Sequence, residues 1–192
     1  MKKLYLLIFI ISTVNIMGKD TDMIEFRSGI NMGGHYNRIQ NETFTSSKDP
    51  QGIGYEFVVE LVHEPIQNLI TGLGTGYQRS GKMKIEGGDN YGIIDTIPVY
   101  ATFKYRFNSE GVYRPYLKIN IGASIPYTRS DLERSGVEAE TGFYWAAGGG
   151  IEYKNFITEL SYQWNRNKYD GDYSGKIDFS RITFGIGYRL GI

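Results

Sequence analysis

The sequence contains no cysteine, which excludes disulfides, thiolate zinc centres and a cysteine nucleophile together. It has no excess charge of either sign, because Lys+Arg and Asp+Glu both number 21. Nothing in the total charge therefore points to nucleic acid as a partner. Proline is scarce, with five residues. After residue 18 no apolar run approaches the roughly 20 residues that a membrane-spanning helix needs. Aromatics are abundant instead: they make up 15 % of the chain, 16 of them tyrosine, beside 25 glycines. That mixture is poor for helices and suits strands, turns and close backbone approach.

The 192 residues favour a single domain. The first 18 read as a signal peptide: Lys2 and Lys3 supply the positive start, residues 4–11 the apolar core and residues 12–18 a more polar exit. Cleavage is expected after Gly18, which leaves 19–192 as the mature domain.

Period-2 patterning dominates that domain. From 182 to 192 the alternate residues are Ile182, Phe184, Ile186, Tyr188, Leu190 and Ile192, separated by Thr183, Gly185, Gly187, Arg189 and Gly191. The segment 24–36 behaves likewise, with Ile24, Phe26, Ile30 and Met32 on one side and Glu25, Arg27, Gly29 and Asn31 on the other. Six more alternating segments lie near 53–61, 69–78, 97–107, 117–125, 143–153 and 156–164, so eight strands are expected. The connections near 37–51, 79–90, 127–140 and 167–177 are long and polar. Those near 63–68, 108–114 and 154–155 are short. Long and short loops alternating around an even number of strands predict an all-β fold, an eight-stranded antiparallel up-and-down transmembrane barrel. Its long loops would face outside, and both termini and the short turns would lie in the periplasm.

A soluble barrel would alternate too, with its apolar side inward. Charge and bulk separate the two. The polar faces hold Glu25, Arg27, Glu56, Glu60, Lys104, Arg106, Lys118, Glu152, Glu159 and Arg189, of both signs, as expected of ion pairs filling a narrow interior. The apolar faces hold too many large aromatics for an eight-stranded lumen, among them Phe57, Phe103, Tyr105, Trp145, Trp164 and Tyr188. Facing lipid, with several near strand ends as an interfacial girdle, they fit. Gly72, Gly74, Gly76, Gly148 and Gly150 on the inner face would make room for long charged side chains from across the lumen.

The phrases Ile97-Pro98-Val99-Tyr100-Ala101-Thr102-Phe103-Lys104-Tyr105-Arg106-Phe107 and Arg114-Pro115-Tyr116-Leu117, with the closing strand to Ile192, resemble the small outer-membrane β-barrel family, of the type of the OmpA membrane domain and OmpX. The resemblance spans the mature chain and is one of pattern. It implies location in the outer membrane of a Gram-negative bacterium, surrounding lipid as a partner, and a C-terminal strand read by the barrel-assembly machinery. Members usually end on an aromatic; Ile192 takes that place here, with Tyr188 close behind. A further peptidoglycan-binding domain, as in full-length OmpA-like proteins, is not expected.

No catalytic, cofactor or metal site is read from the residues. His35 and His63 are the two histidines. His35 has inner-facing parity near the outer rim, where a catalytic histidine would need a Ser or Asp partner. Ser46, Ser47, Ser80 and Ser130 sit at that end, without a local His-x-Ser signature. His63 precedes Glu64-Pro65 and reads as a turn or interface residue. Residues 72–76 have the glycines of a nucleotide loop but neither its lysine nor its helix. Asp170-Gly171-Asp172 reads as a turn, since two carboxylates fall short of a calcium shell. Asn41-Glu42-Thr43 is a chance glycosylation sequon, and the mixed charges of 128–134 form a solvated loop. The expected function is a non-enzymatic monomeric barrel. Its loops present a surface for antigen- or adhesion-type contact with a host or cell ligand, or the barrel serves membrane integrity. A narrow porin-like channel is the alternative, and a lipid-modifying enzyme a third reading.

Overall fold

The computed structural model describes residues 22–41, 44–48, 53–80, 83–84, 90–91, 95–108, 111–127, 138–170 and 175–192. The expected signal peptide and the segments 128–134 and 171–172 lie outside them, as does most of the Asn41-Glu42-Thr43 sequon.

Eight long strands form the wall. They are β1 (Asp22–Asn41), β2 (Gly54–Ile66), β3 (Leu69–Arg79), β4 (Asp95–Arg106), β5 (Tyr113–Tyr127), β6 (Glu138–Tyr153), β7 (Phe156–Asp170) and β8 (Gly175–Gly191). Each pairs antiparallel with its sequence neighbours, and β8 returns to pair with β1, so the sheet closes on itself. Closure removes the exposed edges that an open sheet would leave unpaired. Three short strands, Phe44–Lys48, Met83–Lys84 and Asn90–Tyr91, fall in segments read from sequence as plain polar loops. The first of them extends the β1 wall beyond the loop-side rim.

The ladder fixes the barrel's stagger. Starting at Asp22, the paired positions run through His63, Thr71, Phe103, Ile119, Ala147, Tyr162 and Ile182, and return to β1 at Met32, ten residues further along. A stagger of ten over eight strands corresponds to a tilt of about 40° for strands about 4.8 Å apart rising about 3.3 Å per residue. At that tilt the ten residue steps from Phe156 to Arg166 span about 25 Å along the barrel axis, the height of an outer-membrane apolar band.

Local chemistry explains the ends. The turn between β2 and β3 rests on Asn68, whose φ of 72° is tolerated by asparagine. Its backbone N–H donates to Glu64 Oε1 at 2.7 Å. Lys154 adopts φ of 54° in the β6–β7 turn. Within β1, Gly33 adopts φ of 61° and the pairing with β8 slips by one residue between Met32 and His35. Such a β-bulge inserts an extra residue on one strand. Opposite Pro98, which has no N–H to contribute, the β3–β4 ladder lapses between Thr75↔Val99 and Gln78↔Thr96.

The two faces differ as lipid and lumen demand. Outward residues such as Phe103, Ile119, Leu160 and Ile186 are about half exposed. Outward aromatics pack in pairs, Tyr105 on Phe107, Tyr113 on Tyr153 and Phe156 on Tyr188 near the turns, Phe143 on Trp164 towards the loops. The buried interior is mostly polar, with an apolar patch of Val58, Tyr100, Tyr144 and Ala146.

Candidate functional site

All ten charged residues expected in the lumen are buried, each at most 9 % exposed. Charges in such a space are tolerated only when they are paired and hydrogen-bonded.

Near the turn end, Lys104 Nζ of β4 donates to Glu25 Oε2 of β1 at 2.6 Å and to Glu152 Oε1 of β6 at 3.3 Å. Arg189 of β8 bridges the same two carboxylates: its Nε donates to Glu25 Oε1 at 2.9 Å and its Nη1 to Glu152 Oε2 at 3.0 Å. A further short contact joins Arg189 Nη2 to Glu152 Oε1. Arg106 lies 3.7 Å from Glu152 and pairs with Glu64 at the β2–β3 turn. The Lys104 ammonium also sits 4.7 Å from the Tyr116 ring centre, a favourable position for a cation over a π face.

One layer further in, Lys118 Nζ of β5 donates to Glu60 at 2.7 and 2.8 Å and to Glu159 at 3.2 Å. Arg27 Nη1 pairs with Glu159 at 2.5 Å and its Nη2 lies 3.7 Å from Glu56. The Tyr100 hydroxyl donates to Glu60 Oε1 at 2.7 Å, and the Tyr116 hydroxyl to Glu159 Oε2 at 3.1 Å. Towards the loops the lining becomes amide-rich. Gln78 Nε2 donates to Gln163 Oε1 at 2.9 Å, and Gln163 Nε2 to Glu56 Oε2 at 2.9 Å.

The ten residues comprise five carboxylates and five cations, so the network is neutral as a set. It forms contacts from wall to wall, because Glu25, Lys104, Glu152 and Arg189 come from four different strands. Bidentate and shared ion pairs engage most of these groups with one another across the interior.

Several members were not singled out in the sequence. Arg181 is 1 % exposed and its Nε donates to Gln163 Oε1 at 3.0 Å. It lies one residue before the point at which strict alternation becomes clear in β8, so the pattern gave no reason to include it. Tyr116 and Glu64 were likewise missed. The inner glycines act differently from expectation: the atoms nearest a Cβ at Gly72, Gly74, Gly76, Gly148 and Gly150 belong to neighbouring backbone, Val, Ser or Tyr residues, not to a charged side chain. A Cβ at Gly74 would meet the Tyr100 ring at 2.5 Å and one at Gly150 the Tyr116 hydroxyl at 2.7 Å. The room is thus taken by tyrosine rings and by close approach of neighbouring backbone rather than by long charged chains.

His35 is a correction. The bulge at Gly33 sets it opposite Ser180, in the ladder row that continues through Trp164, Trp145 and Ile121. That row faces outward, so the inner-facing parity counted along the sequence is reversed by the one extra residue. His63 Nδ1 lies 2.7 Å from Asp22 Oδ1 and ties β2 to the start of β1 at the turn end. Residues 72–76 lie within β3. Among the described residues no group of three metal-ligating side chains is found.

No family model matches the sequence. Along 99 % of its length the chain is similar to an uncharacterized protein of Pasteurella multocida (strain Pm70), at 23 % identity and over 98 % of that protein. Its backbone is similar to the outer membrane protein OprG of Pseudomonas aeruginosa, with a TM-score of 0.57 over 91 % of this chain and 98 % of that one, at 11 % identity. The fold is that of a small outer-membrane β-barrel. A second such barrel, the outer membrane protein AlkL studied in lipid bilayers, gives a TM-score of 0.57 at 10 % identity, covering 92 % of this chain and 93 % of that one. Likeness at so low an identity lies in the outer-membrane barrel's alternation and closure, which many different side chains satisfy.

Proposed function

We propose that the protein resides in the outer membrane, with its short turns and termini in the periplasm, and acts as a non-enzymatic scaffold. Its lumen is a structural plug, and its activity lies in loop contacts with a host or cell-surface ligand. The observation carrying this reading is the wall-to-wall ion-pair network of Glu25, Lys104, Glu152 and Arg189, continued by Glu60, Lys118, Glu159 and Arg27. An interior committed to mutual pairing has no open path for solute, which leaves the loop end as the working surface.

The test has two arms. Cells bearing the protein are compared with cells bearing a version in which the segments 128–137 and 171–174 are replaced by short turns, using attachment to host cells or matrix as the readout. Heat-modifiable migration on an SDS gel checks that the trimmed barrel still folds. Attachment is expected to disappear while the compact, SDS-resistant form remains. Attachment unchanged in that version, and still unchanged when the β1–β2 and β3–β4 connections are shortened as well, would rule the reading out. A steady open conductance in planar bilayers would replace it with the channel reading.

A further inference from the structure

The turn end of the lumen opens into a cavity of about 350 Å³, lined by Arg114, Glu152, Lys154 and Arg189 together with Gly111 and Val112. Its cations are held from separate directions. Arg114 faces Glu152 across the β5–β6 ladder. Lys154 occupies the β6–β7 turn, and the backbone N–H of Arg189 donates to Asn155 O in that turn at 2.8 Å, fixing the turn against β8.

Among the described residues the charges of this mouth do not balance. Glu152 is already shared by Lys104 at 3.3 Å, Arg189 at 3.0 Å and Arg106 at 3.7 Å. Among the described residues, Arg114 and Lys154 pair with no carboxylate; the Lys154 ammonium merely rests 5.5 Å from the Tyr153 ring. Among the described residues, Lys104, Arg106, Arg114, Lys154 and Arg189 at this end of the lumen thus stand against Glu25, Glu64 and Glu152, two more cations than carboxylates. The Nε of Arg106, buried beside them, has no hydrogen-bond partner. Among the described residues the middle of the lumen shows no such surplus, since Arg27, Lys118 and the buried Arg181 stand against Glu56, Glu60 and Glu159.

Unpaired cations at the lip of a concave space, backed by further positive charge, attract oxyanions, and guanidinium forks fit phosphate and carboxylate oxygens. The volume lies at the small end of ligand pockets. We propose that the turn-end mouth is a binding site for a phosphate- or carboxylate-bearing anion, held by Arg114 and Lys154. The ligand is either a soluble anion or the headgroup of an anionic phospholipid from the adjoining leaflet. The site depends on neither the loop-contact reading nor the assignment of membrane sides.

Inorganic pyrophosphate serves as the probe, titrated by calorimetry into the folded protein in zwitterionic micelles. Saturable binding is expected, weakened by about tenfold or more in the double variant R114Q K154Q, because each lost charged contact costs at least that much. R114K K154R should restore binding, and R79Q, on the outward face near the loop end, should leave it unchanged. Both altered positions lie outside the plug, and gel migration verifies folding. No saturable binding by the wild type, or equal binding by R114Q K154Q, overturns the proposal; so does equal weakening by R79Q. Repeating the titration in nanodiscs separates the sources. Pyrophosphate binding weakened only when phosphatidylglycerol is present identifies a lipid headgroup, and equal binding in neutral and anionic discs identifies a soluble anion.

Discussion

Glu25 receives hydrogen bonds from Lys104 and Arg189 while 3 % exposed, so its charge is worth most to its neighbours. Removing one partner of a buried pair leaves the other uncompensated, at about 3–5 kcal/mol. Glu25→Gln is therefore expected to lower the barrel's stability by about that amount in urea titrations from lipid vesicles. The double variant Glu25→Gln, Lys104→Met removes both charges and should recover part of the loss. Additive losses would show that the pair acts independently of its setting. The glycines give a sharper contrast. A Cβ at Gly150 would sit 1.8 Å from the Thr158 carbonyl oxygen, whereas one at Gly191 meets nothing within 4 Å. Gly150→Ala should abolish or severely weaken the heat-modifiable form, and Gly191→Ala should stay within about 0.5 kcal/mol of the wild type.

At the scale of the strand, alternation assigns each side chain to lipid or lumen, and the two faces should respond differently to charge. Ile119 lies near the middle of β5 on the outward face, 51 % exposed. Ile119→Arg is expected to cost about 2–4 kcal/mol in vesicle unfolding titrations, the penalty for arginine facing lipid near the midplane. In β1 the bulge depends on Gly33, whose φ of 61° disfavours a Cβ although there is space for one. Gly33→Ala should cost about 1 kcal/mol, and Gly33→Asn less, because asparagine enters the left-handed region more readily. The same titrations read both; equal stability of all three proteins would mean that the bulge relocates.

For the whole molecule, closure turns separate ladders into a cylinder, and the stagger of ten decides which inward groups stand at one height. Glu25 meets Lys104 across 79 positions of sequence and Lys118 meets Glu60 across 58. These contacts tie distant strands together, so the luminal ion-pair network and the barrel should be lost in one cooperative step. Far-ultraviolet circular dichroism and tryptophan fluorescence (Trp145 and Trp164 both report from the wall) are expected to give coincident urea transitions. Separate transitions would mean that the lumen loosens before the wall opens.

Much of this architecture was legible in the residues. Period-2 alternation is local, since successive strand side chains must point to opposite faces, and a lipid-facing side tolerates no charge at its middle. That sufficed for eight strands, for the outward aromatics and for the ten inward charges. It did not suffice for the short strands beyond the rim, nor for Arg181, where the alternation is weak. His35 was assigned to the wrong face because parity counting cannot see a one-residue bulge, which appears only when β1 is laid against β8. The site shows the same division. Composition and alternation by themselves determined that acidic and basic residues share the interior. Which carboxylate meets which cation, and that Arg114 and Lys154 are left over at the turn end, was decided only by the tertiary structure. Both depend on strand tilt and stagger, and these are properties of the closed barrel that no single strand contains.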